Sequence, residues 1–394
     1  MAALLVLSGV LAGCGGHPYV APRPTAVASV DPGQATTTLE SLQAVVRRGD
    51  AAAARRFGAD GATADLLAAI ARNVRAIGLG DVGFTYLTEN GSGSLRGSWG
   101  ATVQVSWKVD GFDHQPASTE VSFTFADGGK RISRVGGRQN AIPVWLSGPV
   151  TVRRTPQTLV ISAAPPAVAD RLATEARTAL ARDAQVLGRD HDKLVVEAPA
   201  TVEALHRALD AQPPTYSGIA AVTAPVDGNR TPGTPVHVFV NPVVFRSMDR
   251  TAAQVVMTHE SVHAVTDAPL RSAPLWLIEG FADYVALGEA HVPLAKEAAQ
   301  VAQQVRRHGV PAHLPADSSF GTEERGLEST YEAAWRVNVT IAQHAGQPAL
   351  VRFYRDMLRG GSLARVLPAD TGLTVAGLTA DWRGDLASLP HVAG

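Results

Sequence analysis

The sequence predicts an α+β fold in two domains, and three observations support this. The chain has 394 residues, which is long for a single ordinary hydrophobic core. Hydrophobic residues make up 45% of it and charged residues 18%, which allows sizeable cores and excludes a disordered chain. Segments with the helical period occur beside segments in which apolar and polar residues alternate, so both helices and strands are expected.

The charge balance argues against nucleic acid as a partner. There are 35 Lys and Arg residues against 36 Asp and Glu residues, for a formal net charge of −1. A surface that binds nucleic acid needs concentrated positive charge, and the sequence has no long basic run. We therefore expect no nucleic-acid partner.

The N-terminus predicts export and a lipid anchor. Residues 1–10 are an apolar run, shorter than the roughly 20 residues of a membrane-spanning helix. Leu-Ala-Gly-Cys follows, ending at Cys14, and resembles the lipobox of bacterial lipoproteins. The resemblance implies that residues 1–13 are a signal peptide, that Cys14 carries a diacylglyceryl group, and that the protein lies outside the cytoplasmic membrane. Residues 14–36 are rich in Pro, Gly and Thr and predict a flexible tether.

Residues 37–141 predict a small α+β accessory domain. Two helical segments are followed by four strand-like segments: helices 39–57 and 62–77, then strands 82–87, 102–109, 120–125 and 130–135. This order resembles the cystatin-like or nuclear-transport-factor-2-like domains of many actinobacterial envelope proteins. Asp113 and His114 fall in a predicted loop, where we expect a solvated histidine without a chemical role.

Residues 142–165 predict a linker strand, and residues 166–390 a second domain. The linker carries three prolines among Val and Thr residues. The second domain alternates between the two periods, with predicted helices at 168–187, 202–209, 337–344 and 349–358 and predicted strands at 194–197 and 236–240.

A motif in this second domain carries the chemistry. Residues 259–263 read His-Glu-Ser-Val-His. Thr251 and Gln254 form a predicted capping box upstream, with Thr251 as the N-cap, so both histidines are expected on one helix. One helical turn separates His259 from His263, which places both imidazoles on one face, where they can bind a zinc ion at roughly 2.0–2.1 Å. Glu260 then lies beside the metal, where a general base is needed.

A second helix supplies the predicted third ligand. Ser272 and Pro274 mark its start, and Glu279 lies within it. Asp283 follows Glu279 by one turn and shares its face, so it can accept a hydrogen bond from a zinc-bound histidine. A catalytic zinc needs three protein ligands and one open position, and His259, His263 and Glu279 meet that count.

These motifs resemble those of the gluzincin metallopeptidases. Residues 259–267 are similar to the thermolysin helix, and residues 276–284, Trp-Leu-Ile-Glu-Gly-Phe-Ala-Asp-Tyr, resemble the WLxEGxAxY element of bacterial peptidase MA-like domains. The resemblance covers roughly residues 160–386. It implies a thermolysin-like zincin domain with a helical C-terminal lobe, one Zn²⁺ per chain, and Glu260 as general base toward a zinc-bound water. It also implies a peptide or protein substrate, paired with residues 236–240 as the edge strand.

Gluzincins also commonly place a Tyr or His near the oxyanion that forms at the substrate carbonyl. Tyr331, at the start of a predicted helix, is the candidate that the resemblance implies. His291, His308 and His313 are alternatives in polar segments. Arg336, further along the same helix, is expected to form a surface or structural ion pair.

Two other functions stay open at this point. One is a non-catalytic envelope lipoprotein whose metal is structural or absent, although a structural zinc site has four protein ligands and only three converge here. The other is a zinc hydrolase acting on a non-peptide amide, such as one in the cell wall.

Overall fold

The computed structural model describes residues 30–90, 98–137, 141–288, 293–321 and 326–392. These residues form a mixed α+β structure with two sheets and a helical C-terminal region. Cys14, the predicted signal peptide, most of the predicted tether and His291 lie outside the described residues. Within the described ranges, no helix is both long and apolar enough to cross a membrane.

The first sheet has four antiparallel strands in the order β1-β2-β3-β4. Its strands are β1 (Leu79–Glu89), β2 (Trp99–Val109), β3 (Ala117–Ala126) and β4 (Arg131–Val135), and three helices precede them: α1 (Pro32–Arg47), α2 (Ala51–Arg55) and α3 (Gly61–Ile77). The single helix predicted over 39–57 is therefore two helices. Gly49 adopts a left-handed conformation that ends α1, and the Asp50 carboxylate caps α2 by accepting from the Ala53 N–H at 2.9 Å.

The second sheet has five strands in the order β5-β6-β7-β9-β8. They are β5 (Thr151–Arg154), β6 (Thr158–Ser162), β7 (Leu194–Ala198), β8 (Ala221–Pro225) and β9 (Val236–Val240). The parallel strands β6, β7 and β9 form the centre, and β5 and β8 run antiparallel to their neighbours. The segment 142–165, expected to be a linker, thus contributes two strands to this sheet.

The prediction that residues 236–240 form the edge strand is wrong. These residues are β9, which lies between β7 and β8, and β8 is the outer strand. Strand β8 was not predicted, because Ala-Val-Thr-Ala-Pro is short and weakly alternating. Strand order depends on non-local pairing, so the chain position of β9 next to the motif helix did not reveal it.

The two sheets share one hydrophobic cluster. It contains Trp99, Phe123 and Phe125 from the first sheet together with Leu159 and Phe239 from the second, all buried. Burial of such aromatic and aliphatic surface stabilises the contact between the two halves.

Eleven further α-helices belong to the described part of the chain. They are α4 (Pro166–Leu187), α5 (Val202–Ala208), α6 (Pro242–Ser247), α7 (Arg250–Val265), α8 (Leu275–Leu287), α9 (Leu294–Glu297), α10 (Ala299–His308), α11 (Leu327–Ala345), α12 (Gln347–Leu358) and α13 (Leu363–Thr371), followed by α14 (Val375–Val392). Helix α4 contacts the second sheet and α7, α8 contacts α7, and α11 contacts α8 and α14. A part-buried ion pair between Arg336 of α11 and Asp385 of α14 joins the last helix to this layer, so Arg336 forms a structural ion pair.

Candidate metal centre

Helix α7 presents both histidines of the motif from its second half. It begins at Arg250, and the Asp249 carboxylate caps it by accepting from the Ala252 N–H at 2.8 Å. The predicted cap at Thr251 is wrong, because Thr251 already lies inside the first turn. Gln254 does not form a capping box either, since its side-chain amide donates to the Glu175 carbonyl of α4 at 3.2 Å.

Helix α8 presents Glu279 and Asp283 toward α7. It begins at Leu275, directly after Pro274, and the Asp317 carboxylate accepts from the Leu275 N–H at 2.8 Å. This bond satisfies one of the free N–H groups at the helix start. Glu279 and Asp283 are one turn apart, so both carboxylates lie on the face that contacts α7.

Three possible ligand atoms converge between α7 and α8. The Nε2 atoms of His259 and His263 are 3.0 Å apart. The Glu279 Oε2 atom lies 3.2 Å from His259 Nε2 and 3.4 Å from His263 Nε2. His259, His263 and Glu279 are the one group among the described residues whose His, Cys, Asp or Glu atoms come this close together.

These separations fit a zinc ion. Donors at 2.0–2.1 Å in a tetrahedral arrangement are about 3.3–3.4 Å from one another, close to the observed spacings. Two imidazoles and one carboxylate are also a donor set that zinc accepts. The residues present therefore fit a zinc ion.

Asp283 orients His259. Its Oδ1 atom lies 2.7 Å from His259 Nδ1, so His259 donates from Nδ1 and keeps Nε2 directed at the other two possible ligand atoms. Burial alone lowers the pKa of His259, but Asp283 and Glu279 raise the pKa well above its usual range. The same negative charge that favours a proton on His259 favours a metal cation at this position.

Glu279 remains a carboxylate at this position. Burial raises its pKa, but His263 and His259 together outweigh burial and hold the pKa of Glu279 well below its usual range. An ionised carboxylate is the form that binds a metal ion.

Tyr331 of α11 borders the same site. Its ring centroid is 6.4 Å from that of His259, and Phe320 packs against its other side with centroids 5.4 Å apart. Burial raises the pKa of Tyr331, and the carboxylates of Glu279 and Asp283 raise it further. The hydroxyl therefore keeps its proton at neutral pH and can donate a hydrogen bond.

His308 and His313, the described alternatives to Tyr331, are both exposed. His308 lies in the last turn of α10, and His313 lies in the segment that follows. The structure brings Tyr331 into contact with the candidate ligands, and it gives neither histidine such a contact.

The Thr223 side chain contacts Glu260, and nothing in the sequence predicted this contact. Its hydroxyl lies 2.7 Å from Glu260 Oε2 and 2.9 Å from the Glu260 carbonyl oxygen. Thr223 belongs to β8, which was not predicted. A threonine in a strand has no distinguishing sequence signal, so only the packing of β8 on α7 reveals this contact.

A buried hydrogen bond also joins helix α7 to helix α4. The Ser261 hydroxyl donates to Asp183 Oδ2 of α4 at 2.7 Å, and both side chains are buried. Burial raises the pKa of Asp183 to about 8, so this carboxyl is protonated at neutral pH. The pair joins α7 to α4 without adding a charge.

A second buried cluster of ionisable groups joins the two sheets. His237 of β9 lies with Nδ1 2.8 Å from Glu197 Oε1 of β7 and Nε2 3.1 Å from Asp113 Oδ1. The side chain of Asp113, in the predicted loop, is buried because it follows β2 into the contact with the second sheet, whereas the neighbouring His114 is exposed, as expected. Burial lowers the pKa of His237, but Asp113 and Glu197 outweigh burial and raise the pKa to about 9.

Comparison with known proteins adds no relative. No model of a known protein family matches the chain, and no curated protein matches it significantly.

Proposed function

We propose that this protein is a zinc metallopeptidase that hydrolyses peptide bonds outside the cytoplasmic membrane, anchored by a lipid on Cys14. In this proposal the second half is a thermolysin-like gluzincin domain with a helical C-terminal lobe, and residues 37–141 are a cystatin-like or nuclear-transport-factor-2-like accessory domain. The observation that carries the proposal is the convergence of His259 Nε2, His263 Nε2 and Glu279 Oε2 within 3.0–3.4 Å of one another, beside Glu260.

Each residue has a role that its position supports. His259, His263 and Glu279 would hold one Zn²⁺, which when bound supplies Lewis-acid activation of water and of the substrate carbonyl. Glu260 takes a proton from the attacking water and passes it to the leaving amine. Asp283 keeps His259 in the tautomer that leaves Nε2 free.

Tyr331 supplies a hydrogen-bond donor. Its phenol stays protonated because burial and the neighbouring carboxylates Glu279 and Asp283 raise its pKa. A donor held beside the metal ligands can stabilise the negative charge that develops on the carbonyl oxygen.

The outer position of β8 supports a peptide substrate over another amide. One side of β8 pairs with β9, and no strand of the described residues pairs with the other side. An extended peptide can add to such an edge through backbone hydrogen bonds. Because β8 contacts α7 directly, a peptide on β8 would pass close to Glu260.

The test combines metal content with cleavage of a peptide library. We expect about one zinc per chain in the wild type and in Glu260→Gln, because Glu260 is not a ligand, and cleavage only by the wild type. A folded wild type without zinc would exclude the ligand assignment. A zinc-loaded wild type that cleaves no peptide in the library would exclude the peptidase and favour another amide as substrate.

A further inference from the structure

Thr223 is the polar contact between the outer strand β8 and the candidate general base. It is buried on the side of β8 that faces α7, in register with Val238 of β9. Its neighbour Val222 projects to the other side of the sheet, into the hydrophobic cluster shared by the two sheets. A threonine at this point places a hydroxyl where an apolar residue would serve packing equally well.

The Thr223 hydroxyl can donate to the Glu260 carboxylate without leaving a backbone carbonyl of α7 without a hydrogen-bond partner. Its proton faces two acceptors, Glu260 Oε2 at 2.7 Å and the Glu260 carbonyl oxygen at 2.9 Å. The carbonyl lies within α7, whose internal hydrogen bonds already use it. The charged carboxylate is a stronger acceptor than the carbonyl oxygen, so the Thr223 hydroxyl donates to Oε2.

Only one carboxylate oxygen of Glu260 is held in this way. No residue of the described chain donates a hydrogen bond to Oε1. A general base needs one oxygen free to receive a proton and a side chain fixed in a single rotamer. The contact to Oε2 provides the restraint and leaves Oε1 free.

We propose that Thr223 is a positioning residue, which holds the Glu260 carboxylate through Oε2 so that Oε1 points at the attacking water. The inference rests on the proposed peptidase function. It also deepens that function, because the strand that would bind the peptide backbone is the strand that orients the base. The hydrogen bond between Thr223 and Glu260 would then set the distance between a peptide bound to β8 and the Glu260 carboxylate.

Two substitutions test the role of the hydroxyl. Thr223→Val keeps the branched shape and removes the donor, and we expect kcat to fall about tenfold with KM changed less than about twofold. Thr223→Ser keeps the donor and should restore kcat to within about threefold of the wild type.

Thr158→Val is the matched control. Thr158 is a buried threonine in β6 of the same sheet, and its hydroxyl contacts Thr155 rather than the site. We expect this variant to keep the wild-type kcat. Equal losses in Thr158→Val and Thr223→Val, or no rescue by Thr223→Ser, would assign the effect to packing and overturn the proposal.

A crystal structure of Thr223→Val gives a readout that does not need activity. The expected result is a Glu260 side chain that leaves its wild-type rotamer while zinc affinity stays unchanged. A Glu260 carboxylate in the wild-type rotamer would overturn the positioning role even if no substrate were found. Failure of the wild type to cleave any peptide would count against the proposed function instead, so the two failures are distinguishable.

Discussion

Gly280 of α8 faces the backbone of Ala334 on α11 so closely that a Cβ atom at Gly280 would lie 2.2 Å from the Ala334 carbonyl oxygen. The same hypothetical Cβ would lie 2.4 Å from Asn338 Nδ2, which donates to the Trp276 carbonyl at 3.1 Å. Glycine at this position therefore sets the distance between α8 and α11. That distance in turn brings Glu279 and Tyr331 to one site.

Gly280→Ala should separate these two helices. Backbone and a hydrogen-bonded amide cannot move away cheaply, so we expect a loss of about 1–3 kcal/mol in the free energy of unfolding, together with weaker zinc binding. Urea unfolding and chelator competition measure the two effects. Gly384→Ala is the control, since Gly384 lies in helix α14 with no atom within 4 Å of the added Cβ. Equal stability of the two variants would contradict the close-approach argument.

Asp283→Asn should weaken metal binding without removing a ligand. The substitution preserves shape but removes the charge that orients His259 through the 2.7 Å contact to Nδ1. We expect zinc affinity to fall about 10–100-fold, measured by competition with a chromogenic chelator. Asp381→Asn, at an exposed carboxylate of α14, should leave affinity unchanged. If Asp283→Asn bound zinc as tightly as the wild type, Asp283 would have no role in orienting His259.

Tyr331→Phe should reduce catalysis while zinc content stays near the wild-type value. The ring still packs against Phe320, but the donor beside Glu279 is lost. We expect kcat to fall about 10²–10³-fold, as for loss of one donor to a developing oxyanion, with KM nearly constant. Steady-state kinetics on a cleaved peptide gives both values. A raised KM with unchanged kcat would instead assign Tyr331 to substrate binding.

The contact between the two sheets should depend on pH through His237. Its pKa is about 9 in the folded protein, against an ordinary value of 6.5. The resulting stabilisation is fully present below pH 6.5 and is lost as the pH rises through 9, because the unfolded chain releases this proton first. The upper limit of this contribution to the free energy of unfolding is about 3 kcal/mol, and urea unfolding between pH 6 and pH 10 measures it.

Asp113→Asn isolates this effect. It should destabilise the protein at pH 7, and the difference from the wild type should shrink as the pH rises above 9. Asp190→Asn is the control, because Asp190 pairs with His191 at 3.1 Å but both side chains are exposed. A constant difference between Asp113→Asn and the wild type across this pH range would show that His237 is neutral.

Local patterns predicted much of the secondary structure. Helix α3 and strands β2, β3 and β7 lie where the periodicity of the sequence placed them, within a few residues at each end. The ends of the helices were harder to predict, because a capping side chain or a glycine in the left-handed conformation decides where a helix begins or ends. Apolar spacing predicted one helix over residues 39–57, but Gly49 divides it into two. Asp249 caps α7, so that helix begins before the expected N-cap Thr251.

The sequence by itself determined the part of the site that lies within single helices. The α-helix places residues one turn apart on one face, so the pairing of His259 with His263, and of Glu279 with Asp283, follows from spacing alone. Only the tertiary structure decided which strand lies at the sheet edge, that Thr223 touches Glu260, and that Asp113 is buried against His237. These contacts join residues far apart in the chain through strand order and packing, and local periodicity carries no information about either.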